Sequence, residues 1–131
     1  MVKKWIIMIS LMIILIVGCV MESLYVNRSF DGLIERLENF QIKLDENKEN
    51  INLEELIYES KDIHNNWHTK VDLLKCLIWH TGIKDIEVGL AKISIYIEEN
   101  DYTEASAEIS SLIDYLKHYS SDFDISWENI F

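Results

Sequence analysis

Four histidines, two cysteines and a large excess of carboxylates are the residues of this 131-residue chain that could do chemistry. His64 and His68 stand four apart, which on a helix puts both imidazoles on one face, a spacing able to hold a metal ion. Such a site needs third and fourth ligands, and Glu59, Asp72 or residues of another helix are the candidates. The reading preferred here needs no metal: His64 is a hydrogen-bonded histidine in an apolar seam beside Trp67, and His68 is its exposed neighbour. His80 and Glu87 flank Gly82 and could meet across a turn there. A general acid–base pair can be imagined from them, but no motif places a nucleophile, a glycine-rich loop or a second catalytic carboxylate. A structural hydrogen bond holding the turn is the simpler expectation. Glu98, Glu99 and Asp101 crowd together without the glycine and ligand spacing of a calcium loop, and read as a solvated helix end. No catalytic residue, cofactor or metal is assigned.

Trp67, Trp79 and Trp127 could form an aromatic ligand box. Trp67 falls at seam spacing and Trp79 in an all-apolar stretch, so both read as core. Trp127 belongs to the tail 124–131, which also carries Ile130 and Phe131 and is too short for an independent helix. That tail either folds back on the domain or offers Trp127, Ile130 and Phe131 to a partner. The cysteines, Cys19 and Cys76, are too few and too far apart for a disulfide framework or a thiolate metal site.

The bulk numbers bound the architecture. The chain is 49% hydrophobic with a mean hydropathy of +0.01, and that average conceals a split. Residues 5–21 form an apolar run without a charge, preceded by Lys3 and Lys4. Residues 22–131 keep all 23 acidic residues against 10 basic ones, a charge of about −13. Such a surface repels phosphate backbones and excludes nucleic acid as a partner. It also argues against simple adsorption to anionic lipid. About a hundred residues remain to build one modest core.

Residues 1–21 admit two readings. As a helix the uncharged run is about 25 Å long, near the lower limit for crossing hydrocarbon. As a signal peptide it has a basic start, an apolar middle and Ile16-Val17-Gly18-Cys19. That tetrapeptide looks like the lipobox of bacterial lipoproteins, a resemblance that implies lipidation at Cys19. No Gly/Ser-rich tether follows, since 22–44 continues as helix, and an uncleaved span is preferred. Both readings keep the N-terminus inside, because Lys3 and Lys4 precede the run and only Arg28 follows it closely. The expected location is the cell membrane, single-pass or lipid-anchored, with the C-terminal domain outside the cytoplasm.

The remainder reads as helices. There is no proline and there are only four glycines, so β-turn chemistry is nearly absent. Apolar residues recur at three- and four-residue steps in four segments. These are Phe30 to Leu44; Leu53, Ile57, Ser60, His64, Trp67, Val71, Leu74 and Ile78; Ile83 to Ile97; and Ala105 to Tyr119. Leu73, Cys76, Leu77 and Trp79 make the second half of the second segment apolar nearly all round, which predicts a central helix. Asn52 with Glu55, and Asp101 with Glu104, suit capping boxes, and Gly82 suits a helix C-terminal stop. No period near 34 residues repeats, which excludes a helical-repeat array. The predicted fold is all-α: an anchor at 1–21, then an antiparallel bundle of about four helices at 22–131.

A resemblance adds to this. Trp67, the run Leu77-Ile78-Trp79-His80, Ile83-Lys84-Asp85-Ile86-Glu87, Leu90, Ala91, Ile93 and Tyr96-Ile97 form a recognisable pattern. So do the acidic hairpin from Asp101 to Glu108 and the closing Glu128-Asn129-Ile130-Phe131. Together with the anchor, the chain resembles domain-of-unknown-function family 4363, short membrane-anchored helical proteins of Gram-positive bacteria. Members tend to carry an acidic residue soon after the position of His80, where this chain has Thr81-Gly82. The resemblance implies a neighbouring integral membrane protein as partner and no activity. The expected role is a non-enzymatic interaction or scaffold module of the cell envelope that binds an integral membrane protein or itself. The alternative is a metal or small-ligand sensor using His64 and His68.

Overall fold

The computed structural model describes residues 1–46, 52–78 and 80–123, except for the side chains of 80, 122 and 123. They form four helices: α1 (Val2–Glu46), α2 (Leu53–Leu77), α3 (His80–Glu98) and α4 (Tyr102–Phe123). Each packs on two neighbours in the ring α1–α2–α3–α4, and no diagonal pair meets among the described residues. This is an antiparallel, up-and-down bundle, as the periodicity and short connections require.

α1 runs unbroken for 45 residues and changes character along its length. Residues 2–22 are exposed on every side, and the first buried residue is Val26. From there Val26, Phe30, Leu33, Leu37, Phe40 and Leu44 are buried at alternating steps of four and three. That stripe is the narrow seam of a helix packed in a bundle. Residues 83, 86, 90, 93 and 97 of α3 and 105, 109, 112 and 116 of α4 complete the seam. At its centre the Phe30 ring lies 5.6 Å from Trp67 and 5.6 Å from Tyr119, and Tyr119 stacks on Tyr115 at 5.8 Å.

α2 corrects the sequence reading in two places. Leu56 and Ile63 are buried; Leu53 and Ile57 are only partly so, and His64 is half-buried. The N-terminal half is thus turned by about one residue from the predicted stripe. Isoleucine at 63 gains more from burial than an imidazole, whose ring nitrogens would need buried partners. The C-terminal half is not enclosed all round, because Leu73 is 51% exposed and Cys76 is exposed. Trp67, by contrast, is core, at 2% exposure. Trp79 lies outside the described residues.

The connections show local chemistry. Asn52 accepts the Glu55 amide (3.4 Å) and Asp101 the Glu104 amide (3.2 Å), the N-cap half of each predicted capping box. α3 ends with the Asp101 amide bonded to the Tyr96 carbonyl (2.8 Å) and the Asn100 amide to the Ile97 carbonyl (3.1 Å). This is a Schellman motif whose left-handed residue is Asn100 (φ 60), a conformation asparagine tolerates better than most side chains.

Gly82 is not the stop that its type suggested. α2 ends at Leu77, and Ile78 is extended (φ −135, ψ 168) while its amide still bonds Leu74 (2.9 Å). Gly82 sits inside α3 without a positive φ. A methyl at this position would meet the Tyr119 ring at 2.7 Å, whereas one at Gly32 would meet nothing within 4 Å. Gly82 therefore lets α3 and α4 approach at the aromatic centre.

Two substitutions should move stability in opposite directions. Gly82→Ala should lower the melting temperature of the detergent-solubilised full chain, because Tyr119 is held between Phe30 and Tyr115. Gly32→Ala should raise stability by about 0.5–1 kcal/mol through helix propensity alone. Trp67→Ala should cost about 3–5 kcal/mol and remove most of the cooperative melt followed by circular dichroism. A melt within a degree or two of the parent would place Trp67 outside the core.

Candidate functional site

The Glu87 carboxylate lies 2.8 Å from Nδ1 of His68, joining α3 to α2. The His80 side chain lies outside the described residues. The His68 imidazole is 70% exposed and Glu87 24%, so this is a surface contact, of a kind worth about 0–1 kcal/mol. No third ligand joins His64 and His68: among the described residues no group of three His, Cys, Asp or Glu side chains is placed to hold a metal. Cys19 and Cys76 are free and exposed. Trp127, Ile130 and Phe131 lie outside the described residues.

Two features escaped the sequence. An open groove of about 340 Å³ lies between α1 and α4, lined by Leu44, Asp45, Tyr102, Ser106 and Ser110. Beside it the Gln41 amide donates to Ser110 Oγ (2.6 Å) and contacts the Ser106 hydroxyl and carbonyl (3.3 Å each). These hydroxyls hold two helices together. Gln41 and Ser106 are 65 residues apart, so no local motif could have signalled them. A smaller cavity of about 100 Å³ lies between α1 and α2 beside Gly32, Asn66 and Trp67. The Trp67 indole N–H is buried without a hydrogen-bond partner among the described residues. A polar gap of that size can admit water to satisfy it.

Electrostatics divide the bundle lengthwise. Arg36 pairs with Asp62 (2.6 Å), Lys43 with Glu59 (2.7 Å) and Glu55 (3.2 Å), Lys61 with Glu98, Lys92 with Glu108 (3.8 Å) and Lys117 with Glu38 (3.0 Å). Hydrogen bonds from Glu59, and then Glu55, hold the Lys43 ammonium above its ordinary pKa of 10.5. What that pair adds to stability is present in full below pH 10.5 and fades as pH rises through the raised value. Burial, and next the charge of Asp85, pushes the Tyr115 phenol up from its ordinary value. Arg28, Lys70, Lys75 and Lys84 make no ion pair among the described residues.

The His64/His68 face predicts a plain result. Zinc titration of the full chain and of a His64→Ala, His68→Ala double mutant should give indistinguishable isotherms, and the two should melt within a few degrees. Stoichiometric, histidine-dependent binding at micromolar concentration or tighter would restore the metal reading.

Comparison with known proteins adds one match. The model of a family described as a domain of unknown function (DUF4363) matches residues 22–130. The match begins where the uncharged run ends and spans the whole bundle. No curated protein and no solved structure matches the chain.

Proposed function

This chain belongs to the DUF4363 family, and we propose that it acts as a membrane-anchored, non-enzymatic interaction module of the cell envelope. The observation that carries the reading is the continuity of α1. One helix of 45 residues contains an apolar, fully exposed stretch and, without a break, the first seam of the bundle. At 1.5 Å per residue it is roughly 67 Å long, enough to cross hydrocarbon and still form one wall of the domain. A helix shared in this way leaves no flexible tether, so the bundle stands at a set height and orientation on the membrane. That geometry suits a part that holds a partner in place.

Lys3 and Lys4 before the apolar stretch favour a cytoplasmic N-terminus and an exported bundle. The unbroken helix through Gly18 and Cys19 favours an uncleaved span over lipidation at Cys19. The acidic surface disfavours polyanionic partners. With its position held near the bilayer, the domain is best matched to an integral membrane protein or a second copy of this chain. Exposed apolar side chains on two helices, Ile42 of α1 and Val88 and Ile95 of α3, are positions from which such a partner can be captured.

Protease added outside intact protoplasts should digest the region after residue 30; survival until lysis would reverse the topology. A fatty-acid probe should label parent and Cys19→Ala equally poorly, whereas Cys19-dependent labelling would establish lipidation. Photocrosslinkers at Ile42, Val88 and Ile95 in intact cells should capture an integral membrane protein or a second copy. Removing residues 124–131 should weaken that capture more than it lowers the melting temperature. Recovery of only the uncomplexed chain from all three positions would count decisively against an interaction module.

A further inference from the structure

We propose that the membrane-proximal end of the bundle, the tip of the α2–α3 hairpin, is seated in the phospholipid headgroup layer. This rests on the reading of α1 as a membrane span and adds a second contact between the protein and the bilayer.

The argument is one of height. Contacts between α1 and α2 define their antiparallel register: Phe30 faces Trp67, Arg36 faces Asp62 and Lys43 faces Glu55. Continued toward the N-terminus of α1, this register puts Leu73 level with Leu24, Cys76 with Met21 and Leu77 with Val20. If Lys4 marks one face of the hydrocarbon, about 20 residues of helix reach the other, at about Leu24. The last turn of α2 therefore stands at or below the outer boundary of the hydrocarbon, not in water above it.

The side chains at that height suit the interface. Leu24 and Leu73 are 53% and 51% exposed, and Cys76 is exposed beside them. Leucines in this position gain by contact with acyl chains. Four bundle cations that make no ion pair among the described residues, Arg28, Lys70, Lys75 and Lys84, lie on this same end. The register puts Lys75 level with Glu22, and Arg28 and Lys70 within about two turns above it. The contact of His68 with Glu87 and the ion pair of Lys61 with Glu98 place Lys84 at a similar height. The headgroup region is only several ångströms deep on each side, within reach of long basic side chains whose stems lie on apolar surface. Among the described residues, Arg36, Lys43, Lys61, Lys92 and Lys117, farther from the tip, are instead held by carboxylates. Glu22, Asp31, Asp72 and Asp85 share this end, so the contact does not depend on a net positive face. Apolar insertion supplies it, and it should form on zwitterionic lipid.

The test uses the full chain with Cys19→Ala in phosphatidylcholine vesicles, with a polarity-sensitive fluorophore on the native Cys76. A control carries the fluorophore on Tyr58→Cys, with both native cysteines replaced; Tyr58 is 73% exposed and lies toward the opposite end of α2. The Cys76 probe should be quenched several-fold more than the control by nitroxide lipid labelled near the headgroup, and several-fold less by aqueous iodide. Leu73→Glu should shift it toward iodide. Equal iodide quenching at the two sites, in protein that co-sediments with vesicles, overturns the seating and leaves the anchor standing. Shielding from both quenchers overturns it in favour of cover by protein. Failure to co-sediment removes the anchor and this inference together.

Discussion

A single helix, apolar on every side at its start and apolar along one stripe afterwards, constrains everything else in this molecule. A helix in hydrocarbon has to satisfy every backbone polar group internally and be apolar in every direction, and the first part of α1 is long and apolar enough for that. In the bundle the same helix needs only a stripe, because two partners, α2 and α4, cover one face and water takes the others. The change occurs within one or two turns, between the charge-free residues up to Met21 and the first buried residue, Val26. Nothing in between relaxes the chain, so the axis of the apolar stretch is also the axis of the first bundle helix. The positions of α2, α3 and α4 relative to that stretch follow from their packing on it.

That packing is anchored at one level. Phe30, Trp67, Tyr115 and Tyr119 bring rings from α1, α2 and α4 together, and Gly82 supplies the space α3 must leave for them. Large rings bury much area and prefer tilted or offset contacts, so they restrict the register more tightly than aliphatic seams do. Leucine and isoleucine layers above and below could slide by a turn with little loss of area; this layer could not. The antiparallel register that places the α2–α3 tip level with the end of the span depends on these rings. The ion pairs farther along contribute little energy individually, but they agree with the same register.

The division of charge follows from these heights. Among the described residues, the cations at the bundle's far levels are taken up by carboxylates, whereas Arg28, Lys70, Lys75 and Lys84 toward the α2–α3 end make no ion pair. A domain that is acidic as a whole can therefore present unpaired cations at one end.

Much of this was legible in the residue pattern. The charge-free run, the three- and four-residue recurrence and the absence of proline are local properties, and they dictate an apolar N-terminal stretch followed by helices whatever the packing. Asn52 and Asp101 act on amides three residues away, so their caps could be read in advance. Asn100 could have been found by the same logic, since asparagine accepts the left-handed conformation. Other features required distances between residues remote in the chain. At 63 and 64 the stripe of α2 was ambiguous by one residue, about 100° of rotation, and only its neighbours decided that Ile63 turns inward. Glu87 meets His68, 19 residues away, through the pairing of α2 with α3, a contact no local pattern could signal. Gly82 was read for its backbone freedom, but its value is steric and depends on Tyr119 in another helix. Local pattern sets which element each residue joins; contacts between elements set which way each face turns and how high each turn stands, because only packing compares side chains that the chain itself keeps far apart.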